Sequence, residues 1–145
     1  MGTTAFIGGG NMATAIIGGL RRGGRAGETL IVVEPSSVQR ERLAADFGVR
    51  ALAFADASLR EADLVVWAVK PQLFKAAAAP AAPFIGAALQ LSVMAGIRSD
   101  AIAHAAGTER VVRAMPNTPA LIGRGIAGLY ARAAVDARGR AEVEA

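Results

Sequence analysis

The chain has 145 residues, 53% of them apolar and 19% charged, which suits one domain with a real core and excludes a disordered polypeptide. It has no cysteine, so a disulfide framework, a thiolate zinc site and a cysteine nucleophile are excluded. The net charge of +4 comes from arginine almost alone, and no aromatic residue interleaves with the densest cluster, Arg21, Arg22 and Arg25, so nucleic-acid binding is not expected. No charged segment followed by a long apolar run opens the chain. A signal peptide is therefore not expected, and a soluble cytoplasmic protein is the default reading.

Thr3 to Ile7 is a short apolar strand that runs straight into Gly8-Gly9-Gly10-Asn11-Met12-Ala13, with a helix following at once. Met12, Ile16 and Leu20 give that helix an apolar face, and Gly23-Gly24 stops it. Leu30 to Val33 is a second strand, ending in Glu34-Pro35-Ser36-Ser37. A helix over Ser37–Phe47 turns Val38, Leu43 and Phe47 inward, and Gly48 closes it. Val49 to Leu52 reads as a third strand and Asp56 to Glu61 as a brief helix. Leu64 to Val69 is a continuous apolar run of the kind buried on both faces of a sheet.

Between Lys75 and Arg98 there is no charge, a stretch long enough to span a bilayer. Alanine dominates it and Pro80 and Pro83 interrupt it, so it reads instead as a helix end, a connection and a buried strand at Leu89 to Val93. A helix over Ser99–Ala106, a strand at Arg110 to Ala114 and an edge strand over Gly125 to Ala131 follow. Asp136 to Ala145 looks like the first turns of a helix with little to anchor it.

Strands alternating with helices require crossovers, hence a largely parallel, doubly wound α/β sheet with helices on both faces. Residues 1–131 form this domain and 132–145 the start of a further helix. In such sheets ligands bind at the strand carboxyl ends. The Gly-x-Gly-x-x-Ala turn fits a dinucleotide pyrophosphate there: Gly8 permits the tight turn, Gly10 bares the backbone and Ala13 lets the helix pack close. Unpaired N–H groups at the helix start then face the anion.

Glu34 stands where an acidic residue accepts hydrogen bonds from the adenosine ribose, which favours NAD. Ser36, Ser37 and Arg40 are groups that hold a 2′-phosphate, which favours NADP. They also read simply as an N-cap and a solvated helix residue. Lys70 projects over the crevice, with Pro71 starting the next helix. Val93-Met94-Ala95 offers slim residues beside a nicotinamide, and Pro116 and Pro119 stiffen the loop that carries Asn117 and Thr118. The acid–base inventory is thin. His104 sits in an alanine-rich helix, Trp67 and Tyr130 read as packing residues, and no catalytic or metal-ligating set stands out.

Phe6 to Ala13 with Ala15 to Leu20, Ala68-Val69-Lys70-Pro71, and Arg113 to Ala120 with Met115-Pro116-Asn117-Thr118-Pro119 resemble three N-terminal signatures of the pyrroline-5-carboxylate reductases. The resemblance runs to about Ala131. It implies a Rossmann-like domain in an oxidoreductase of proline biosynthesis, transferring hydride from NADPH or NADH to the C=N carbon of 1-pyrroline-5-carboxylate. A protonated imine is already an electrophile, so little proton transfer is asked of this chain.

By the same resemblance Ile7, Gly8, Gly9, Gly10, Asn11 and Met12 take the pyrophosphate, and Ser36 and Arg40 lie near the 2′ position. Ala68, Val69, Lys70 and Pro71, with Val93, Met94 and Ala95, line the ribose and nicotinamide crevice, and Asn117 and Thr118 face its far end. Ala55 stands where relatives commonly carry an asparagine that touches the cofactor. The family continues into a helical domain that forms a homo-oligomer and binds the substrate. The chain alone is thus expected to be the cofactor half, without turnover. The alternatives are a non-catalytic NAD(P)-binding module, or a related NADP-dependent reductase acting on a 3-hydroxy acid or a deazaflavin.

Overall fold

A computed structural model describes residues 2–94, 96–113 and 130–131. Strands are β1 (Thr3–Ile7), β2 (Leu30–Val33), β3 (Arg50–Leu52), β4 (Ala62–Trp67), β5 (Leu89–Ser92), β6 (Val111–Arg113) and β7 (Tyr130–Ala131). Helices are α1 (Asn11–Arg22), α2 (Ser37–Phe47), α3 (Phe74–Ile85) and α4 (Ser99–Ala106), with short 3-10 turns at Ala57–Glu61 and Pro71–Leu73. The sheet order is β3-β2-β1-β4-β5-β6-β7. The first six strands pair in parallel and β7 lies antiparallel on β6.

This order reverses direction between β1 and β4, both of which start a crossover. The carboxyl ends of β1 and β4 therefore splay apart from the connections that leave them, and a crevice opens there. Alternate residues of each strand serve opposite faces of the sheet. Ala5, Ile7, Val65 and Trp67 pack with Phe74, Ala78, Ile85 and Ile102, so α3 and α4 cover one face. Phe6, Val32, Val66 and Leu91 pack with Ala13, Ile17 and Leu43, so α1 and α2 cover the other. The doubly wound architecture expected from the sequence is the one present.

Trp67, fully buried, anchors the first of these layers. Its ring meets Phe74 edge-on at 5.2 Å between centroids. Its indole N–H donates to Gln90 Oε1 at 2.8 Å, and Gln90 Nε2 donates to the carbonyls of Ile85 and Ala88. A buried glutamine is tolerated here because its amide is partnered at both ends.

Three local expectations need correction. Val38 is 65% exposed rather than inward, because the buried side of α2 is centred on Leu43. The buried stripe of α1 is Ala13 and Ile17, with Ile16 and Leu20 only at its margin. Most consequentially, α3 runs unbroken through Pro80 and Pro83. Phe74, Ala78, Ala81 and Ile85 hold one face of it in the core. The prolines lie on the exposed side, where the carbonyls they leave unpaired, on exposed Ala76 and Ala79, have access to water.

The uncharged stretch from Lys75 to Arg98 is thus most of α3 followed by β5. Among the described residues no helix is long and apolar enough to cross a membrane. Of the expected edge strand over 125–131, only Tyr130–Ala131 is described, and it pairs as an edge strand. The expected helix in 136–145 lies outside the described residues.

Candidate functional site: a cleft at the strand ends

The cleft grows out of the turn after β1. Gly8 N–H still donates to Val33 O at 2.9 Å, and Ala68 N–H donates to Ile7 O at 2.9 Å, so the ladder extends past the strand ends. Gly8 then takes φ +104°, and a Cβ there would stand 2.9 Å from Ala68 O. That backbone conformation and that space suit glycine alone. Gly9 is equally enclosed, since a Cβ would stand 2.8 Å from Leu43 Cδ1. Gly10, the N-cap of α1, is the opposite case, with nothing within 4 Å of where its Cβ would lie. The first turn of α1 carries no side-chain cap and no acidic residue. A bare, open helix start of this kind accepts an anion, and the residues present fit a pyrophosphate.

The turn after β2 locks onto this one. Glu34 accepts the Gly9 N–H on one carboxylate oxygen at 3.0 Å and the Ser36 N–H on the other at 2.9 Å. Ser36 caps α2, its hydroxyl accepting the Gln39 N–H at 3.3 Å. Arg40 Nη1 donates to the carbonyls of Glu34 and Pro35, both at 2.8 Å, and Ser37 is exposed at the first position of α2. Gln39, which the sequence reading passes over, donates from Nε2 to Gly9 O at 2.6 Å and reaches Thr14 Oγ1 at 3.4 Å. The available signal was its place three residues after a capping serine, from which a side chain turns back toward the helix start.

Between these turns and α3 lies a cleft of about 500 Å³, a size that accommodates a small organic ligand. Of the site residues expected from sequence, Ile7, Gly8, Gly10, Glu34, Ala68, Val69 and Lys70 line it. Ser36, Ser37 and Arg40 are not among its lining residues; they follow the lining residue Pro35, Ser36 as the N-cap of α2 and the other two within its first turns. Asn11 is exposed at the start of α1, whereas Met12 is half-buried and packs against the core layer that holds Ala13, Ile17 and Leu43. Pro71 faces a separate open groove between α3 and α4, as does His104, exposed on α4. Val93 and Met94 are buried just past β5, outside the cleft, where Val93 N–H donates to Trp67 O at 3.1 Å. Ala95, Asn117 and Thr118 lie outside the described residues. On the far wall Ala55, singled out by the resemblance, lines the cleft, whereas its neighbours Ala53 and Phe54 after β3, and Leu73, Ala76, Ala77 and Pro80, went unread in the sequence.

A parallel sheet in this order, with a glycine turn and an uncapped helix start at its switch point, defines the dinucleotide-binding class of α/β domains. Residues 3–96 match the family described as NADP oxidoreductase, coenzyme F420-dependent, and the chain belongs to that family. It is also similar to pyrroline-5-carboxylate reductases. That of Pseudomonas aeruginosa is 42% identical over 135 residues, which are 92% of this chain and 50% of the relative. That of Escherichia coli is 36% identical over 141 residues, 95% of this chain and 52% of the relative.

Among solved structures, the reductase of Coxiella burnetii superposes with a TM-score of 0.86 at 31% identity, covering 97% of this chain and 53% of that one. The Plasmodium falciparum pyrroline carboxylate reductase, solved with NADP bound, shares the fold with a TM-score of 0.80 at 23% identity, covering 98% and 52%. The chain spans about half the length of the curated relatives it matches.

Proposed function

We propose that this chain is the cofactor-binding half of a pyrroline-5-carboxylate reductase, with NADPH as its preferred cofactor and NADH as the alternative. The observation that carries the reading is the 42% identity to the Pseudomonas aeruginosa reductase over 92% of the chain. The apolar cleft at the switch point supports it. When bound, the reduced nicotinamide supplies a hydride to the C=N carbon of 1-pyrroline-5-carboxylate, giving proline.

The chain's own part is to hold and orient. Gly10, Asn11 and Met12, at the uncapped start of α1, offer backbone N–H groups to the pyrophosphate, while Gly8 and Gly9, whose N–H groups go to Val33 O and Glu34, shape the turn. Ser36, Ser37 and Arg40 flank the 2′-phosphate, Arg40 adding a positive charge. Ala68 to Pro71, with Val93, Met94 and Ala95, shape the ribose and nicotinamide end, and Asn117 and Thr118 complete it. No residue of the chain is assigned a proton-transfer role. Assembly into a homo-oligomer and a cytoplasmic location belong to the same reading.

Calorimetric titration with NADPH and then NADH tests the cofactor. Binding of NADPH tighter than NADH is the expected result, and binding of neither overturns the reading. A second reading has one observation in its favour, the description of the family matched by residues 3–96, which names a coenzyme F420-dependent NADP oxidoreductase. A substrate panel with NADPH on the whole protein separates the two. Proline formed from 1-pyrroline-5-carboxylate supports the first, and reduction of a deazaflavin in its place supports the second.

A further inference from the structure

The peptide that joins Gly9 to Gly10 lies at the centre of the glycine turn, and a side chain from another helix holds it. Gln39 Nε2, on α2, donates to its carbonyl, Gly9 O, at 2.6 Å across 30 residues of sequence. Thr14 Oγ1 lies 3.4 Å from the same Nε2 and donates to the next carbonyl, Gly10 O, at 2.8 Å. Both Gln39 and Thr14 are half-buried.

A peptide with glycine on both sides has little steric preference for one orientation over its reverse. The N–H groups before it are committed: that of Gly8 goes to Val33 O and that of Gly9 to Glu34. The Gly10 N–H has no acceptor among the described residues, and Gly10 lines the cleft with open space where a Cβ would stand. In a trans peptide the carbonyl and the N–H point in opposite directions. A carbonyl drawn toward α2 by Gln39 therefore turns the Gly10 N–H away from α2.

Resting on the dinucleotide reading above, we propose that Gln39 is a positioning residue, which holds Gly9 O so that the Gly10 N–H is aimed at the cofactor's pyrophosphate. It acts through the peptide and does not touch the cofactor. Reversed, the same peptide would present a carbonyl oxygen to the phosphates. Losing the Gln39 bond thus lowers the share of molecules ready to bind, and apparent affinity falls with that share. The effect lies at the part of the cofactor that NADPH and NADH have in common, unlike that of Arg40, the next residue along α2.

The test uses Gln39→Met, which keeps the length and helix propensity of the side chain and removes its donor. The Ser36 cap is untouched, because it takes the Gln39 backbone N–H. Parent and variant are titrated with NADPH, NADH and adenosine 2′-monophosphate, which lacks the pyrophosphate. NADPH and NADH are expected to weaken by the same factor, about fivefold for one lost hydrogen bond, with adenosine 2′-monophosphate held within about twofold. The Gly10 amide resonance gives a second readout: NADPH moves it downfield in the parent and less so in Gln39→Met. Unchanged NADPH affinity, or a Gly10 shift equal to the parent's, overturns the inference while the cofactor reading stands. So does an equal loss for adenosine 2′-monophosphate, which reduces Gln39 to a support for α2. No binding of NADPH by the unsubstituted protein overturns both.

Discussion

The backbone N–H of Gly9 donates to one carboxylate oxygen of Glu34 at 3.0 Å, across 25 residues of sequence, and the Ser36 N–H takes the other oxygen at 2.9 Å. Glu34 stands where a carboxylate that reads ribose hydroxyls is expected, yet in this fold it ties the glycine turn to the start of α2. Gln39 makes the second tie, to Gly9 O. The turn's geometry thus depends on side chains from the neighbouring β2–α2 turn as well as on its glycines.

Glu34→Gln tests this arrangement. One of the two backbone N–H groups then faces an amide NH2 instead of an acceptor, and the charge that strengthens both bonds is gone. A loss of about 1–2 kcal/mol in urea unfolding is expected, with affinity for NADPH falling along with that for NADH. A variant of unchanged stability that gained affinity for NADPH would instead make Glu34 a reader of the ribose.

Gly8 and Gly10 separate fold from function. Gly8→Ala puts a methyl 2.9 Å from Ala68 O at φ +104°, and a loss of about 1–3 kcal/mol is expected from strain alone. Gly10→Ala meets nothing in the protein, so its thermal midpoint should hold while NADPH affinity drops at least tenfold, about 1.4 kcal/mol. A Gly10→Ala variant that binds NADPH normally would put the pyrophosphate elsewhere.

Much of this was legible because it rests on local rules. The ends of α2 and α4 follow from Ser36, Gly48 and Gly107, and the strand–turn–helix at the start follows from its glycines. What was not legible depends on partners distant in the chain. The burial of Phe74, Ala78, Ala81 and Ile85 decides that α3 passes through two prolines, and the sequence shows only the breakers. Phe54 and Leu73 carry no motif; only the fold brings the loop after β3 beside α3. Glu34 was visible as a carboxylate at the right place, but its partners Gly9 and Ser36 were not.

Pro83 gives that point a number. Its ring occupies the last turn of α3 on the exposed side, outside the cleft, and its missing N–H leaves Ala79 O without a helical partner. Pro83→Ala restores the donor and relieves the ring's crowding, at the cost of a freer unfolded chain. A net gain of about 1–2 kcal/mol in urea unfolding is expected, with NADPH affinity unchanged. A destabilised variant would mean that the proline is needed where it stands.

The proposed preference for NADPH rests on Arg40. Its Nη1 is held by the carbonyls of Glu34 and Pro35, which fixes a guanidinium beside the place proposed for the 2′-phosphate. Arg40→Ala removes that charge, so NADPH binding is expected to weaken about tenfold or more while NADH binding changes far less. Equal losses for both cofactors in parallel titrations would reduce Arg40 to a brace for the turn.

Gln90 offers the sharpest stability test, since it joins β5 to the only tryptophan in the chain. Gln90→Leu has nearly the same volume but takes away the acceptor of the buried Trp67 indole N–H and the amide donor to the carbonyls of Ile85 and Ala88, of which Ile85 O keeps the Ala88 N–H. Each buried group left unpaired costs about 1–3 kcal/mol, partly offset by the apolar side chain that replaces the amide. A net loss of about 2–4 kcal/mol is expected, read from the single tryptophan's emission across a urea titration. Stability equal to the parent would mean that these groups find other partners, and that the Trp67–Gln90 bond is replaceable.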